Sequence, residues 1–160
     1  MHKAFLLLGT NLGDRKRNLT IARNNIELSV GVIVQASATY ETAAWGKTDQ
    51  ADFLNQAVAV ETSMEPLPLL REILNIEKEM GRQRDVKWGE RIIDIDILLY
   101  DDVVLDVQGL TVPHPQLPNR RFALTPLAEI AGEFVHPQHQ LTINDLLDRC
   151  TDTLAVNLVK

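Results

Sequence analysis

Two aspartates, Asp94 and Asp96, interrupt the oily run Arg91-Ile92-Ile93-Asp94-Ile95-Asp96-Ile97-Leu98-Leu99-Tyr100. Strand side chains alternate faces, so the two acids share one face, ~7 Å apart at Cα, while Ile93, Ile95, Ile97 and Leu99 share the other. Like charges at that spacing repel unless a cation or basic partners neutralise them. Hard oxygen ligands on a stiff strand point to magnesium, which takes one or two carboxylates and fills its shell with water and phosphate oxygens. The chemistry expected is phosphate transfer. The competing reading is a strand whose polar face is merely wet.

The next segments favour the first reading. Residues 81–91 bring Arg82, Arg84, Lys87 and Arg91 into one short glycine-bracketed loop of a chain whose net charge is −6. Arginine grips phosphate oxygens in pairs, and a closing loop excludes water, as polyphosphate transfer requires. A solvated loop countering the preceding helix terminus is the plainer alternative. Leu110 to Phe122 is rich in proline and presents His114, Arg120 and Arg121 on a rigid frame, where His114 could meet a nucleotide phosphate or ribose. Phe53 and Phe122 could sandwich a flat heterocycle, with Asn55, on the strand face of Phe53, reading its donors and acceptors. Core packing is the alternative for both rings.

The elements that must hold these residues follow from periodicity. Lys3 to Leu8 reads as a buried strand closed by the turn Gly9-Thr10-Asn11-Leu12-Gly13-Asp14, and a helix is expected from about Asp14 to Ser29, stopped by Gly31. Val32 to Tyr40 alternates as one half-buried strand with Val32, Val34, Ala36, Ala38 and Tyr40 on a common face, and Phe53 to Thr62 is the next strand. The Glu41–Asp52 connection is long enough to be functional and carries Trp45. A helix from about Glu65 to Met80, with Leu67, Leu70, Ile73, Leu74 and Ile76 inside, precedes the basic loop and the Asp94/Asp96 strand. The order is βαββαβ, an α+β, ferredoxin-like plan. Val103 to Leu105 is expected to pair back as a hairpin after Asp101-Asp102, Leu110 to Phe122 to be irregular, and short helices to run over Thr125–Ala131 and from the cap Thr142 to about Arg149.

The composition narrows the partners. A chain of 160 residues, 45% hydrophobic, suits one domain spanning 1–160 with its own core. Its acidity argues against a nucleic-acid partner, and no stretch is long enough for a signal or membrane span. One cysteine, Cys150, fits a reducing compartment, so a cytoplasmic protein is expected, and a monomer is the expected state.

Several motifs in one order resemble a family, the 6-hydroxymethyl-7,8-dihydropterin pyrophosphokinases of folate biosynthesis. They are Gly9-Thr10-Asn11-Leu12-Gly13-Asp14, Tyr40-Glu41-Thr42, Phe53-Leu54-Asn55, Gly81-Arg82-Gln83-Arg84, Trp88-Gly89, Arg91 with Asp94-Ile95-Asp96-Ile97, and Val112-Pro113-His114-Pro115 with Arg120, Phe122 and Pro126-Leu127. The resemblance implies transfer of the β,γ-pyrophosphoryl group of ATP to the pterin hydroxymethyl oxygen. It implies that Asp94 and Asp96 hold two Mg2+ ions, and that Arg82 and Arg91 neutralise the moving phosphoryl groups. By the same resemblance Glu77, Arg84, Trp88, Arg91, Ile97, Thr111, His114 and Arg120 form the ATP site. Thr42, Ala43, Trp45, Phe53, Asn55 and Phe122 form the pterin site. The chain departs from the pattern at Ala43-Ala44, where some relatives have two prolines, at Asp85, basic in some, and at Gly109, where some carry Arg. Two rival functions remain on these residues, a nucleotidyltransferase on the same plan and a ligand-binding domain without turnover.

Overall fold

A computed structural model describes residues 1–43, 51–81 and 92–159. Along the chain run β1 (His2–Thr10), α1 (Arg15–Ser29), β2 (Val32–Ala36), β3 (Tyr40–Thr42), β4 (Phe53–Thr62), α2 (Pro66–Glu79), β5 (Asp94–Tyr100), β6 (Leu105–Val107), β7 (Leu110–Val112), α3 (Arg121–Ala131), α4 (Ile143–Arg149) and β8 (Val156–Leu158). The main sheet has the order β5-β1-β4-β3-β8, with β2 also on β4, and β1 pairs antiparallel with both β4 and β5. That is the expected ferredoxin-like arrangement of βαββαβ, extended by β8 and a second pair of helices.

Both faces of this sheet are covered, which is why its central strands read as unbroken apolar runs. Ala4, Leu6 and Leu8 of β1 enter the core shared with Leu19, Ala22 and Ile26 of α1 and Leu69, Ile73 and Ile76 of α2. Phe5 and Leu7 point the other way, into the core built with Ala123, Leu124 and Leu127 of α3 and Ile143 and Leu146 of α4. Asp14 caps α1 by accepting from the Arg17 amide (3.1 Å), and Thr142 caps α4 in the same manner through Asp145 (3.1 Å).

Several expectations are corrected. Gly9 and Thr10 are not turn residues, because Gly9 lies in the ladder of β1 with partners on both sides. The expected strand from Val32 to Tyr40 is two strands. Ser37 Oγ accepts from the Ala57 amide (3.0 Å), and the Ala38 amide is taken by Glu129 (2.9 Å), so residues 37–39 leave the ladder. Val32 and Val34 are exposed and Ile33 packs inward, the reverse of the simple alternation. Leu67 is likewise exposed, and Leu69 takes the inner position.

Leu99 does not share a face with Ile95 and Ile97. Phe5 pairs with Leu99 but Leu6 pairs with Ile97, so Leu98 is an extra residue that flips the alternation beyond it. Val103–Leu105 is not a hairpin partner of β5; β6 pairs with β7 across Gln108-Gly109, Gly109 taking φ +89°, and this regularises the start of the proline-rich segment. Leu117–Asn119 is a 3-10 turn, and α3 begins at Arg121 rather than Thr125, with Pro126 inside it. The early start follows from Arg121, whose amide and guanidinium bond to Asp152 and whose guanidinium also reaches the Cys150 carbonyl (2.8 Å), anchoring the first turn before the proline is reached. Among the described residues no helix is long and apolar enough to cross a membrane.

The turn between α3 and α4 is built on His136, which is only 1% exposed. Its Nδ1 accepts from the amides of Gln138 and His139 (both 3.2 Å), so the ring is neutral with its proton on Nε2. Burial, and then the neighbouring His139, push its pKa down to about 4. A proton on Nδ1 would turn that acceptor into a donor facing two donors. The folded-state pKa lies below the unfolded one, so stability is complete above the unfolded value near 6.5 and drains away as pH falls toward 4. Thermal melts from pH 7 to 4.5 should therefore show an acid loss to which His136 contributes on the order of 2–3 kcal/mol, His114 adding to it over the same window. His136→Asn should be less stable at pH 7 and show a shallower acid slope; an unchanged slope would assign the loss to other groups.

Candidate active site

The site is set out by the register of the sheet. Gly9 on β1 faces Asn55 of β4 on one side and Asp94 of β5 on the other, and Asn55 in turn faces Tyr40 of β3. Directly opposed residues of antiparallel strands point to the same face. Asp94, Gly9, Asn55 and Tyr40 thus form one row, with Asp96 in the row beyond (beside Leu7) and Thr42 opposite Phe53 in the row before. This is the face that carries Leu7 toward α3. Asp94 and Asn55 stand two strand spacings apart, ~10 Å, with a glycine between them.

That glycine leaves room for the Asn55 side chain. A Cβ built at Gly9 would lie 3.0 Å from Asn55 Oδ1 and 3.7 Å from the ring of Phe53. The break between β2 and β3 serves the same face. From Ala36, opposite Val58, to Tyr40, opposite Asn55, the chain uses one residue more than β4 does. The extra residue turns Tyr40 and Thr42 away from the α1/α2 core and toward Asn55. Thr42 then accepts from Asn55 Nδ2 (3.1 Å), with both side chains buried, and this fixes how the Asn55 amide is presented.

Around the edge strand β5 the chain forms an open cleft of about 440 Å³ lined by residues that include Leu70, Glu77, Asp94, Asp96, Ile97, Thr111 and His114. An edge strand leaves amides and carbonyls to be satisfied elsewhere. Here buried Glu77 of α2 accepts from the Ile95 amide between the two aspartates (2.7 Å), and the His114 amide donates to the Leu98 carbonyl (2.9 Å). These two bonds fasten α2 and the segment after β7 to the strand that carries the acids. Asp94 and Asp96 remain half-buried and line the cleft.

His114 sits at the meeting point of charges. Burial pushes its pKa down to about 4, the Arg120 guanidinium adds to that, and Asp94 works in the opposite direction. Its Nδ1 accepts from the Gln116 amide (3.1 Å), which leaves the proton on Nε2 of a neutral ring as a donor. The Arg120 guanidinium carbon lies 5.7 Å from the centroid of Phe122, within reach of a cation–π contact.

The structure thus brings together Asp94, Asp96, Glu77, Ile97, Thr111 and His114 in one cleft, with Arg120 close enough to act on His114. Thr42, Phe53 and Asn55 lie on the adjoining part of the same face. Phe122 opens α3, which packs against that face, and Ala43 follows Thr42 as an exposed residue. Trp45, Arg82, Arg84, Trp88 and Arg91 lie outside the described residues. Sequence reasoning missed Gly9, whose role appears only once both of its strand partners are known.

Comparisons with known proteins give the family. The family model described as 7,8-dihydro-6-hydroxymethylpterin-pyrophosphokinase (HPPK) matches residues 5–132. The chain belongs to this family. Its relatives include a 2-amino-4-hydroxy-6-hydroxymethyldihydropteridine pyrophosphokinase of Methylorubrum extorquens, 43% identical over 84% of this chain and 86% of that protein. Another, of the same name from Haemophilus influenzae, is 38% identical over 99% of both chains. Among solved structures, a Plasmodium falciparum HPPK-DHPS aligns with a TM-score of 0.75 and 21% identity over 92% of this chain, a likeness of fold. The present chain spans only 43% of the length of that fused protein.

The glycine between the two halves of the site gives a direct test. Gly9→Ala should keep the fold and weaken binding of the pterin named in the family's description by about 10- to 100-fold, since a crowded methyl costs ~1–3 kcal/mol. Calorimetric titration measures this; an alanine variant with unchanged affinity would show that Asn55 does not read the ligand from this row.

Proposed function

We propose that this chain transfers the β,γ-pyrophosphoryl group of ATP to the hydroxymethyl oxygen of 6-hydroxymethyl-7,8-dihydropterin, giving AMP and the pterin diphosphate for folate biosynthesis. Family membership supports this reading, and the observation that carries it is the row Asp94–Gly9–Asn55. It sets a pair of acids and the Asn55 amide on one sheet face, separated by Gly9, which has no side chain of its own. The pterin ring lies between Phe53 and Phe122 and is read by Asn55, Thr42 and the backbone at Ala43, with Trp45 beside it. Its hydroxymethyl group points across Gly9 toward Asp94.

The acids fit magnesium. Among the described residues no cluster of three or more His, Cys, Asp or Glu could hold a metal alone. A site with two carboxylates needs its remaining ligands from water and phosphate, which suits magnesium carried in with a nucleotide better than a structural metal. Two Mg2+ ions would be held by Asp94 and Asp96, and would supply neutralisation of phosphate charge. Glu77, Ile97 and Thr111 line the nucleoside end of the cleft, and His114 donates from Nε2 to a triphosphate oxygen, aided by Arg120. Arg82, Arg84 and Arg91 offset charge on the moving group, and Trp88 covers the assembled site. The pterin oxygen bonds to the β-phosphorus as the bond to the α,β-bridging oxygen breaks, and AMP leaves with that oxygen. The hydroxyl proton leaves for solvent, and no strong side-chain base is assigned to it. Catalysis is positioning and charge neutralisation, without a covalent intermediate.

We extend the proposal to a single-domain, monomeric, cytoplasmic enzyme, supported by the acidic composition and a lone buried cysteine. Incubation with ATP, magnesium and the pterin should yield AMP and a diphosphorylated pterin. Release of pyrophosphate with an adenylated product would instead establish a nucleotidyltransferase. Asp96→Ala should fold normally yet lose at least about 100-fold in kcat, because the phosphate charge then lacks its counter-ion. Near-normal turnover would remove the metal from the mechanism. Arg82→Ala should lower kcat more than it weakens pterin binding, a split that steady-state kinetics combined with direct titration resolves.

A further inference from the structure

One side chain reaches both strands of the pterin site from behind. Arg15 opens α1 on the opposite face of the sheet from Asn55, and one of its guanidinium nitrogens, Nη1, donates to Glu41 Oε2 at 2.6 Å and to the Asp52 carbonyl at 2.8 Å. Glu41 lies in the row of Leu54, whose side chain enters the α1/α2 core, so its carboxylate is on the reverse face. Each acceptor immediately precedes a residue of the site: Glu41 precedes Thr42, and Asp52 precedes Phe53. Thr42 and Phe53 are paired with each other in the last row that joins β3 to β4. Beside this contact the buried Asn11, from the same turn after β1, donates through Nδ2 to the Ala51 carbonyl (3.1 Å).

We propose that Arg15 is a positioning residue for the pterin site: by spanning Glu41 and Asp52 it holds Thr42 and Phe53 at the separation the ring requires. The inference rests on the pterin reading given above. β3 is only three residues long, and Thr42 and Phe53 end the ladder, where pairing frays most readily. A cation fastened to Glu41, one row inside the last pair, and to Asp52, one residue beyond it, removes freedom that ligand binding would otherwise have to remove. Arg15 cannot touch the ligand itself, since the sheet stands between them. Its influence is specific to the pterin, because the nucleotide cleft lies along β5, on the far side of β1 and β4.

The test is titration of the pterin, with magnesium and a non-hydrolysable ATP analogue present, into the unaltered chain and into Arg15→Ala, Arg15→Lys and Glu41→Gln. Arg15→Ala should raise the pterin Kd about tenfold while the Kd of the ATP analogue stays within about twofold, the size of one partly exposed charge-assisted hydrogen bond lost at a distance from the nucleotide. Arg15→Lys, which keeps a charge and several donors, should restore most of the affinity, and Glu41→Gln, which keeps an acceptor, should lose less than Arg15→Ala does. Kinetics should show the same division, with the pterin KM raised and the ATP KM and kcat nearly constant. Should Arg15→Ala not fold, the lysine and glutamine variants still order the outcomes. Equal weakening of both ligands would reduce Arg15 to a general stabiliser and overturn the proposal. An unaltered chain that binds the pterin, with Arg15→Ala binding it equally well, overturns the positioning claim alone. An unaltered chain that binds no pterin overturns that claim and the functional reading together.

Discussion

The site depends on the double register of β1. A strand paired on both sides transmits its position to two neighbours at once, so the alignment of Gly9 with Asn55 also decides where Asp94 stands relative to that amide. A slip of one residue on either side would send Asp94 or Asn55 to the α1/α2 core. Such a slip is opposed by the apolar burial on both faces of the sheet. Leu6 and Leu8 are committed to one core, Phe5 and Leu7 to the other, and all four would exchange environments. The hydrophobic pattern of β1 therefore fixes functional geometry although none of its large side chains needs to meet a substrate.

Two departures from regular pairing refine this frame. The extra residue between β2 and β3 turns Thr42 toward Asn55. The bulge at Leu98 lets Asp94 and Asp96 face the α3 side while Tyr100, farther along the same strand, returns to the α1/α2 core, where its hydroxyl donates to the Met64 carbonyl (2.7 Å). Bulges concentrate where a sheet has to re-aim side chains next to a site. Both lie within a few residues of a group assigned to ligand or metal, and each disrupts pairing on an outer strand and leaves the central β1–β4 ladder regular.

Much of this was legible in the sequence, and the rest was hidden for identifiable reasons. Asp94 and Asp96 announced themselves because carboxylates in an Ile-rich strand are costly without a function, and alternation alone placed them on one face. The βαββαβ order followed from apolar periods and from glycine and proline punctuation. The break at Ser37–Thr39 did not, since it depends on Ser37 bonding Ala57 and on Glu129 reaching Ala38 from 91 positions away. β8 is three residues with no period to detect, and it exists because β3 offers an edge. Gly9 looked like turn chemistry in a glycine-rich motif, and only pairing on both sides distinguishes a gap left for a ligand from a bend. Of the residues proposed for the site, Trp45, Arg82, Arg84, Trp88 and Arg91 rest on the resemblance alone.

The remaining architecture fixes where α3 stands relative to the sheet. The N-terminal end of α3 carries Arg120 at the cap and Phe122 in the first turn, so a single rigid element presents both residues proposed for the site, with the Arg120 cation near the Phe122 ring. Both would wander if the helix were held by apolar contacts alone, because such contacts are not directional. Polar ties fix its two ends. Arg121 is bonded to Asp152 and Cys150 at the start, and Glu129 near the finish accepts from the Tyr40 hydroxyl (2.6 Å) and the Ala38 amide (2.9 Å). Burial first, and Glu129 second, push the Tyr40 pKa up to about 12, so this donor keeps its proton at any physiological pH. The tie from Glu129 ends on the very residues that turn β3 toward the site. A shift of α3 along its axis would pull on Tyr40, the neighbour of Asn55, which couples the helix that carries Phe122 to the strand pair that carries Asn55.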